Sequence, residues 1–284
     1  MELWHYTSIN SAHLILKNKT FRFSDFRFLN DSYEIKYPLD ILIERYSKSE
    51  NTALNFFTAI KLSLQKGGIK IFTASFSNSP ESLNQFRLYG DDAKGVALKF
   101  DYDVLKDISF IRKCGLNVDY FDYAISEPEP CKYGDIELYV NQIIDKYKDL
   151  LANKKIFSTV NNSEEPFFQP ELGINSFNLD SQEEIVHFLI DLCLWKSPEF
   201  ATEEESRVVV ISQNSTKNTD TFVKDGLLIP FYDHQFDNLK FINNLMIGPK
   251  CDRRNLVGLS NYINSVSLDW DFADSENVFN SSYS

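Results

Sequence analysis

The sequence predicts a mixed α+β fold, from the order and periodicity of its hydrophobic residues. Strand-like and helix-like segments occur without the regular alternation of a parallel βαβ sheet, and several strand signals are neighbours that can pair as hairpins or meanders. The 284 residues are 43% hydrophobic and 14% aromatic, enough for a substantial core. Because no Gly-, Ser- or Pro-rich linker divides the chain, we predict one elaborated domain over residues 1–268 and a polar tail over residues 269–284.

In the N-terminal third, predicted strands lead into predicted helices. Residues 2–6 form a short strand, and Ser8 opens the amphipathic helix that follows it. Residues 20–24 alternate apolar and polar side chains, as a half-buried strand does. The other elements predicted here are a helix capped by Asn30 or Asp31 that runs through Ile35 and Leu39 toward Arg45, a helix over 51–65, a strand over 69–77, and a helix over 79–89 capped by Ser79 with Pro80 at its first position.

In the rest of the chain the sequence pattern predicts more strands than helices. Residues 161–180 contain acids and prolines but no hydrophobic period, so they are predicted as a loop or insertion. The predicted strands cover residues 94–100, 110–112, 118–125, 207–211, 227–230 and 244–247, and the predicted helices cover 136–151, 182–195 and 253–263.

Several functional classes lack their signatures in this sequence. There is no GxGxxG after a strand, no GxxxxGK[ST], no GxSxG and no HExxH, which argues against Rossmann, P-loop, α/β-hydrolase and zincin chemistry. The cysteines Cys114, Cys131, Cys193 and Cys251 form no CxxC pair, so we expect buried thiols, no metal and a cytoplasmic protein. No apolar run approaches the ~20 residues that span a bilayer, and the N-terminus has no signal-peptide pattern, so no membrane association is expected.

The charge balance also limits the possible partners. The chain has 29 Lys and Arg against 41 Asp and Glu, a formal net charge of −12. This acidity argues against a broad footprint on nucleic acid, whose phosphates require local positive charge. A small basic patch near Lys250, Arg253 and Arg254 is compatible with that total.

Two polar groups in the N-terminal part could carry chemistry, and each has a structural alternative. His5 ends the first predicted strand, a position where a lone histidine is more often a structural hydrogen-bonding group. Asn30 or Asp31 can cap the helix that follows, and Glu34, three residues after Asp31, can complete a capping box, which explains these residues without a ligand.

The run of acids from Glu203 to Glu205 lies directly before a very apolar strand. In an extended segment Glu203, Glu205 and Arg207 share one face. Such a run is usually a solvated surface. At the start of a buried strand, however, one acid of such a pair, beside an arginine, can be held as an ionised carboxylate near a cationic transition state.

Seven short motifs occur in a recognisable order, and with them the chain resembles the bacterial domain-of-unknown-function family 2971, of the ADP-ribosyltransferase superfamily. The resemblance runs from about His5 to the helix after Lys250. The motifs are His5-Tyr6-Thr7-Ser8, Phe23-Ser24 with Asn30-Asp31-x-x-Glu34, Ser75-Phe76-Ser77, Phe86-x-x-Tyr89-Gly90 with residues 94–100, Lys196 with Phe200, Glu203-x-Glu205-x-Arg207, and Ile247-Gly248-Pro249-Lys250.

The resemblance implies a split, mainly antiparallel β-core with surrounding helices, around a cleft that binds NAD. It implies that His5 hydrogen-bonds a ribose hydroxyl and that Thr7 and Ser8 lie beside the nicotinamide pocket. Nicotinamide would stack on a wall that contains Tyr89. The other residues that the resemblance assigns to the NAD site are Tyr6, Asn30, Ser75, Phe76, Ser77 and Arg207.

The resemblance also assigns the catalytic role to Glu205. Breaking the nicotinamide glycosidic bond builds positive charge on the ribose, which a fixed carboxylate stabilises in a water-poor site. Glu203 would orient the acceptor, and Arg207 would hold the carboxylates or a phosphate.

The activity implied is transfer of ADP-ribose from NAD to RNA, DNA or protein, by the toxin of a bacterial toxin–antitoxin or phage-defence system with a cognate antitoxin. No metal is implied. Two alternatives remain open: an NAD glycohydrolase, in which water is the acceptor, and a catalytically silent binding module with the same fold.

Overall fold

Antiparallel strand pairing organises most of the chain. The computed structural model describes residues 1–29, 35–48, 52–114, 120–157, 168–213, 219–224 and 226–266. The strands are β1 (Leu3–Thr7), β2 (Thr20–Asp25), β3 (Lys70–Ser77), β4 (Val96–Phe100), β5 (Phe110–Cys114), β6 (Tyr120–Ile125), β7 (Glu129–Pro130), β8 (Lys132–Tyr133), β9 (Trp195–Lys196), β10 (Glu205–Ser212), β11 (Thr219–Lys224), β12 (Leu227–Gln235) and β13 (Ile242–Ile247).

Helices pack on both faces of the strands, so the predicted mixed α+β class is confirmed. Short 3₁₀ turns occur at Phe26–Phe28, Pro170–Ser176, Pro198–Glu203 and Leu239–Phe241. The α-helices are α1 (Ile9–Asn18), α2 (Lys36–Tyr46), α3 (Thr52–Lys66), α4 (Leu83–Tyr89), α5 (Tyr102–Asp107), α6 (Ile136–Lys146), α7 (Lys148–Ala152), α8 (Leu179–Leu192) and α9 (Arg254–Val266). Among the residues described, no helix combines the length and the apolar character that crossing a bilayer requires.

The main sheet is large, curled and forked at β3. Its strand order is β11-β12-β2-β3-β1-β4-β13, and β10 pairs along the opposite edge of β3. Two strands share one edge of β3: β1 pairs at Ser77, and β2 pairs at Thr73 and Phe72. Residues 74–76 lie between these two contacts. We call this divergence of β1 and β2 from β3 the fork.

Alternation along β3 supplies the two largest hydrophobic cores among the described residues. Ile71 packs into a core beneath α2, α3, α6 and α8, whereas Phe72 packs into a second core beneath α1 and α9. Successive strand residues point to opposite faces, so one apolar strand can serve two layers. This two-sided burial holds β3 in the centre of the fold and fixes the position of the fork.

The predicted helix over residues 79–89 starts later than its sequence signal. It begins at Leu83 and is capped by Ser82, so Ser79 and Pro80 lie outside it. The hydroxyl of Tyr6 donates to the carbonyl of Ser79 at 2.6 Å and accepts from the backbone N–H of Ser82 at 3.2 Å. This tertiary contact competes with the local capping signal and fixes the loop before α4.

The chain around α8 also differs from its prediction. The helix ends at Leu192, and Trp195–Lys196 forms strand β9 in parallel pairing with β8. In the predicted insertion, Pro170–Ser176 is a 3₁₀ turn packed on α3, and α8 begins at Leu179. Its residues 161–167, the predicted tail over 269–284 and the predicted cap at Asn30 or Asp31 lie outside the described residues.

Candidate functional site

A cavity of about 700 Å³ opens at the fork. Its volume is within the range of small-molecule binding sites. The structure brings nearly all of the predicted site residues to its wall, and Asn30 lies outside the described residues. Those on the wall are His5, Tyr6, Thr7, Ser8, Ser75, Phe76, Ser77, Tyr89, Glu203, Glu205 and Arg207.

Arg207 holds the carboxylate of Glu205 from within the same strand. Its Nε donates to Glu205 Oε1 at 2.6 Å and its Nη2 to Oε2 at 3.3 Å, while Nη1 donates to the carbonyl of Cys193 at 2.7 Å. The Arg207 side chain is almost completely buried. The planar guanidinium of Arg207 therefore holds the carboxylate of Glu205. In this arrangement the guanidinium is not oriented toward a phosphate in the cavity.

Lys196 joins the two acids of the site. From β9, its Nζ donates to Oε2 of Glu203 and to Oε2 of Glu205, and it lies 4.9 Å from the centre of the Phe200 ring. The four side chains Lys196, Glu203, Glu205 and Arg207 are all buried, and we call them the charge quartet. Two acids and two bases give the quartet a formal charge of zero, which is how buried charges are normally tolerated.

The electrostatics of the charge quartet keep Glu205 ionised. Burial by itself raises the pKa of Glu205, but the positive charges of Arg207 and Lys196 outweigh it and hold that pKa at about 2. Burial by itself lowers the pKa of Lys196, and Glu205 and Glu203 together raise it above its usual value. At neutral pH the site therefore contains a fixed, buried carboxylate.

The backbone around the acids is not the extended segment that the sequence predicts. Glu203 ends a 3₁₀ turn, Glu204 is left-handed with φ of 46°, and the strand begins only at Glu205. The carbonyl of Glu203 accepts from Ser77 Oγ at 3.0 Å, and the N–H of Glu205 donates to the Tyr133 hydroxyl at 2.7 Å. These contacts stabilise the turn, and the two carboxylates converge because both bind Lys196.

Tyr89 faces Glu203 across the cavity. Its hydroxyl donates to Glu203 Oε1 at 3.2 Å, and Tyr89 as a residue is 37% exposed. The helix that carries Tyr89 ends in a turn whose residues 91–93 all have positive φ, and Gly95 closes this turn against Thr7. A Cβ at Gly95 would lie 2.1 Å from the Thr7 carbonyl oxygen, so this junction requires glycine.

His5 lies at the fork with its ring edge-on to Phe21, at 4.9 Å between centroids. Its Nδ1 lies 3.2 Å from the carbonyl oxygen of Ser75. Burial lowers the pKa of His5 to about 4, although the Ser75 contact acts in the opposite direction, so the ring is neutral at pH 7. Because a carbonyl can only accept, Nδ1 carries the proton and Nε2 is left as an acceptor.

Three other predicted site residues, Tyr6, Ser8 and Phe76, have structural roles in the fold. The Tyr6 hydroxyl binds the loop before α4, and Ser8 caps α1 by accepting from the N–H of Ser11 at 3.1 Å. Phe76 joins the second core, and its ring lies 5.1 Å from that of Phe100. These side chains shape the wall, and their main polar groups already have partners within the protein.

Two residues of the site received no role from the sequence. Lys196 belongs to one of the motifs but has no assigned role, and Tyr133 belongs to none of them. A signal for Lys196 exists, because it directly follows the apolar stretch from Leu192 to Trp195, where a lysine is expected to be buried and paired. No comparable signal marks Tyr133, since β8 has only two residues.

The prediction that the cysteines are buried thiols is confirmed for the three described cysteine side chains. Cys131, Cys193 and Cys251 are buried free thiols. In the part of the chain that the structure describes, no group of three His, Cys, Asp or Glu side chains has a metal-binding arrangement.

Comparison with known proteins adds one match. Residues 85–208, from α4 to the start of β10, match the model of a family described as "Protein of unknown function (DUF2971)". No curated protein and no solved structure matches the chain. The matched segment contains Tyr89 and the whole charge quartet. Although it covers less than half of the chain, this match supports the family of unknown function that the sequence motifs resemble.

Proposed function

We propose that the protein is an NAD-dependent ADP-ribosyltransferase in which Glu205 is the catalytic residue. The observation that carries the proposal is the ionised carboxylate of Glu205, fixed and buried at the wall of a cavity large enough for a nucleotide. Loss of nicotinamide leaves an oxocarbenium-like ribose, and a preorganised negative charge stabilises it best where water is excluded. The fork between β1 and β2 supports the proposal, because it places His5 and Tyr89 on the same cavity.

Each polar residue has a distinct task in the proposed reaction. The neutral His5 offers Nε2 to a ribose hydroxyl, and the exposed Tyr89 ring offers a stacking surface for nicotinamide. The C1′–N bond breaks, and its electron pair leaves with nicotinamide. The acceptor nucleophile then bonds to C1′ and gives up its proton to solvent water, while Glu203 orients the acceptor from its position between Tyr89 and Lys196.

One observation favours a second function, a catalytically silent binding module. Both oxygens of Glu205 accept hydrogen bonds from cations, Oε1 from Arg207 and Oε2 from Lys196 and Arg207. Those positive charges oppose a cationic transition state while they hold the carboxylate in place. In the binding module, NAD or another ligand would occupy the cavity and leave unchanged.

Incubation with radiolabelled NAD separates these functions. The full chain and its Glu205→Gln variant would each be incubated with labelled NAD and with total RNA, DNA and protein from a bacterial cell. Label in one macromolecular fraction, absent with the variant, supports the transferase. Free ADP-ribose and nicotinamide without labelled acceptor would select the NAD glycohydrolase. Intact NAD, bound but unconsumed, would select the binding module.

The proposed biology is that of a cytoplasmic toxin with a cognate antitoxin. A transferase that modifies its host's macromolecules must be restrained, and a chain of net charge −12 attracts a partner with a basic surface. Expression of the wild-type chain alone should slow growth, whereas Glu205→Ala should be harmless. Normal growth at high expression, together with a lone monomer on purification from the native host, would exclude the toxin.

A further inference from the structure

The cations that line the cavity fall into two groups. Lys196 and Arg207 belong to the charge quartet and are bound to its carboxylates. Arg22 on β2 and Lys224 on β11 lie on the opposite arm of the fork, away from β1. One end of the cavity thus carries the charge quartet, and the other carries two cations that the quartet does not bind, of which Arg22 pairs with Asp233.

Arg22 is held rigidly, unlike an ordinary surface arginine. Its guanidinium carbon lies 3.5 Å from the centre of the Phe231 ring and 5.1 Å from that of Phe222. Its Nε and Nη2 donate to the two carboxylate oxygens of Asp233 at 3.1 and 3.2 Å. A guanidinium has five N–H donors, so three remain for a ligand, in a fixed plane suited to phosphate oxygens.

Strand register places Lys224 on the same face as Arg22. Arg22 pairs with Asp233 on β12, and Asp220 on β11 pairs with Phe231, two residues from Asp233. Directly paired residues and alternate residues along a strand share a face, so Lys224, four residues after Asp220, lies on that face too. Among the residues described, no ion pair engages Lys224.

The same register connects this surface to the catalytic end. Ser24, two residues from Arg22, pairs with Thr73, and Thr73 pairs with Val209 on the strand that carries Glu205. With about 4.8 Å between neighbouring strands, β2 lies about 10 Å and β11 about 19 Å from β10. A single extended ligand can therefore contact both ends of the cavity.

We propose that Arg22 and Lys224 form a phosphate subsite that receives the diphosphate of a dinucleotide. The inference rests on the proposed function, in that the nicotinamide end of the ligand lies at Tyr89 and Glu205. Arg22 binds one phosphate through its free donors, and Lys224 contributes a second positive charge at the cavity mouth. The subsite sets the direction of the ligand along the sheet.

Calorimetry of the full chain with ADP-ribose and with adenosine tests the subsite, because only ADP-ribose carries the diphosphate. The variants are Arg22→Gln, Lys224→Gln and Asp233→Asn, with Lys61→Gln on α3 as a matched control. Arg22→Gln should weaken ADP-ribose binding about tenfold or more, the usual effect of losing a hydrogen bond to a charged group. Lys224→Gln should weaken it less and reduce its salt dependence, while adenosine binding stays unchanged.

The Asp233→Asn variant distinguishes phosphate binding from a structural ion pair. It breaks the same ion pair but frees the guanidinium, so ADP-ribose binding should be kept or strengthened. Equal loss in Arg22→Gln and Asp233→Asn would overturn the subsite, as would unchanged ADP-ribose affinity in Arg22→Gln and Lys224→Gln. If Arg22→Gln and Lys224→Gln weaken the binding of an oligonucleotide but not of ADP-ribose, the two cations bind a nucleic-acid acceptor instead. Failure of wild type to bind NAD or ADP-ribose would remove the proposed function itself.

Discussion

The ammonium group of Lys196 donates to the carboxylate of Glu205, and each side chain is only 6% exposed. Lys196 lies on the short strand β9, and Glu205 is the first residue of β10. The same ammonium also binds Glu203, so one buried cation fixes the spacing of the two acids. The chemistry of the site therefore depends on where β9 lies as well as on the acids themselves.

Glu205→Gln should lower transfer of ADP-ribose by a factor on the order of 10²–10³, the usual effect of removing a preorganised electrostatic group. Glutamine keeps the shape but loses the charge that stabilises the ribose cation. The measurement is the initial rate of label transfer from NAD. Glu204→Gln is the matched control, because Glu204 is the exposed neighbour and should leave the rate unchanged. A Glu205→Gln rate above about a third of wild type contradicts the catalytic assignment.

Lys196→Met should destabilise the fold and shift the pH dependence of activity. Removing one partner of a buried ion pair typically costs about 3–5 kcal/mol, measurable by denaturant unfolding. Glu205 then loses one of the two cations that lower its pKa, so it takes up a proton at higher pH, and the acid limb of the activity profile moves toward neutrality. Lys196→Arg keeps the charge and should restore both properties in part. An unchanged pH profile in Lys196→Met would show that Lys196 does not set the ionisation of Glu205.

Substitutions of Tyr89 should separate ring stacking from hydrogen bonding. Tyr89→Phe keeps the ring and loses the bond to Glu203, so NAD affinity should persist while the transfer rate falls. Tyr89→Ala should weaken NAD binding about fivefold or more, since an aromatic pair contributes about 1 kcal/mol beyond its buried area. Lys61→Ala on α3 is the control for both measurements by calorimetry. Equal NAD affinity in Tyr89→Ala and Lys61→Ala would show that the Tyr89 ring does not contribute to NAD binding.

His5 should make the fold sensitive to mild acid. Its pKa is about 4 in the folded protein against 6.5 as an ordinary value, so below pH 6.5 the unfolded chain binds a proton that the folded chain does not. The contribution of neutral His5 to the free energy of unfolding is therefore fully present above pH 6.5 and is lost as the pH falls toward 4. The free energy of unfolding should drop more between pH 7 and pH 5 in wild type than in His5→Gln. An identical drop in both proteins would place the pKa of His5 near its ordinary value.

Thr73→Val should stabilise the protein. Thr73 is 3% exposed, and its hydroxyl has no hydrogen-bond partner among the described residues. An unsatisfied buried hydroxyl costs roughly 1–3 kcal/mol, and valine has nearly the same shape, so the free energy of unfolding should rise by about 1 kcal/mol. Thr58→Val, at an exposed position of α3, should change it by less than about 0.5 kcal/mol. A loss of stability in Thr73→Val would mean that the hydroxyl has a partner.

Local periodicity was enough to predict most of the elements of this fold. Burial of one face imposes a period of two on a strand and about 3.6 on a helix, so β2, α1 and α3 leave a clear pattern in their own residues. Short or exposed strands leave none, which is why β8, β9 and β11 were missed. The start of α4 was misplaced because a contact from Tyr6, 73 residues away, outweighs the local cap of Ser79.

The sequence by itself determined the mixed α+β class and selected a set of polar residues that meet at one cavity, with Asn30 outside the described residues. Only the tertiary structure decided how those residues are held. Glu203 and Glu205 converge through Lys196 on a different strand, and the left-handed Glu204 replaces the predicted extended alternation. Ion pairing and burial act through space between segments distant in sequence, so the hydrophobic periodicity of either segment does not predict them.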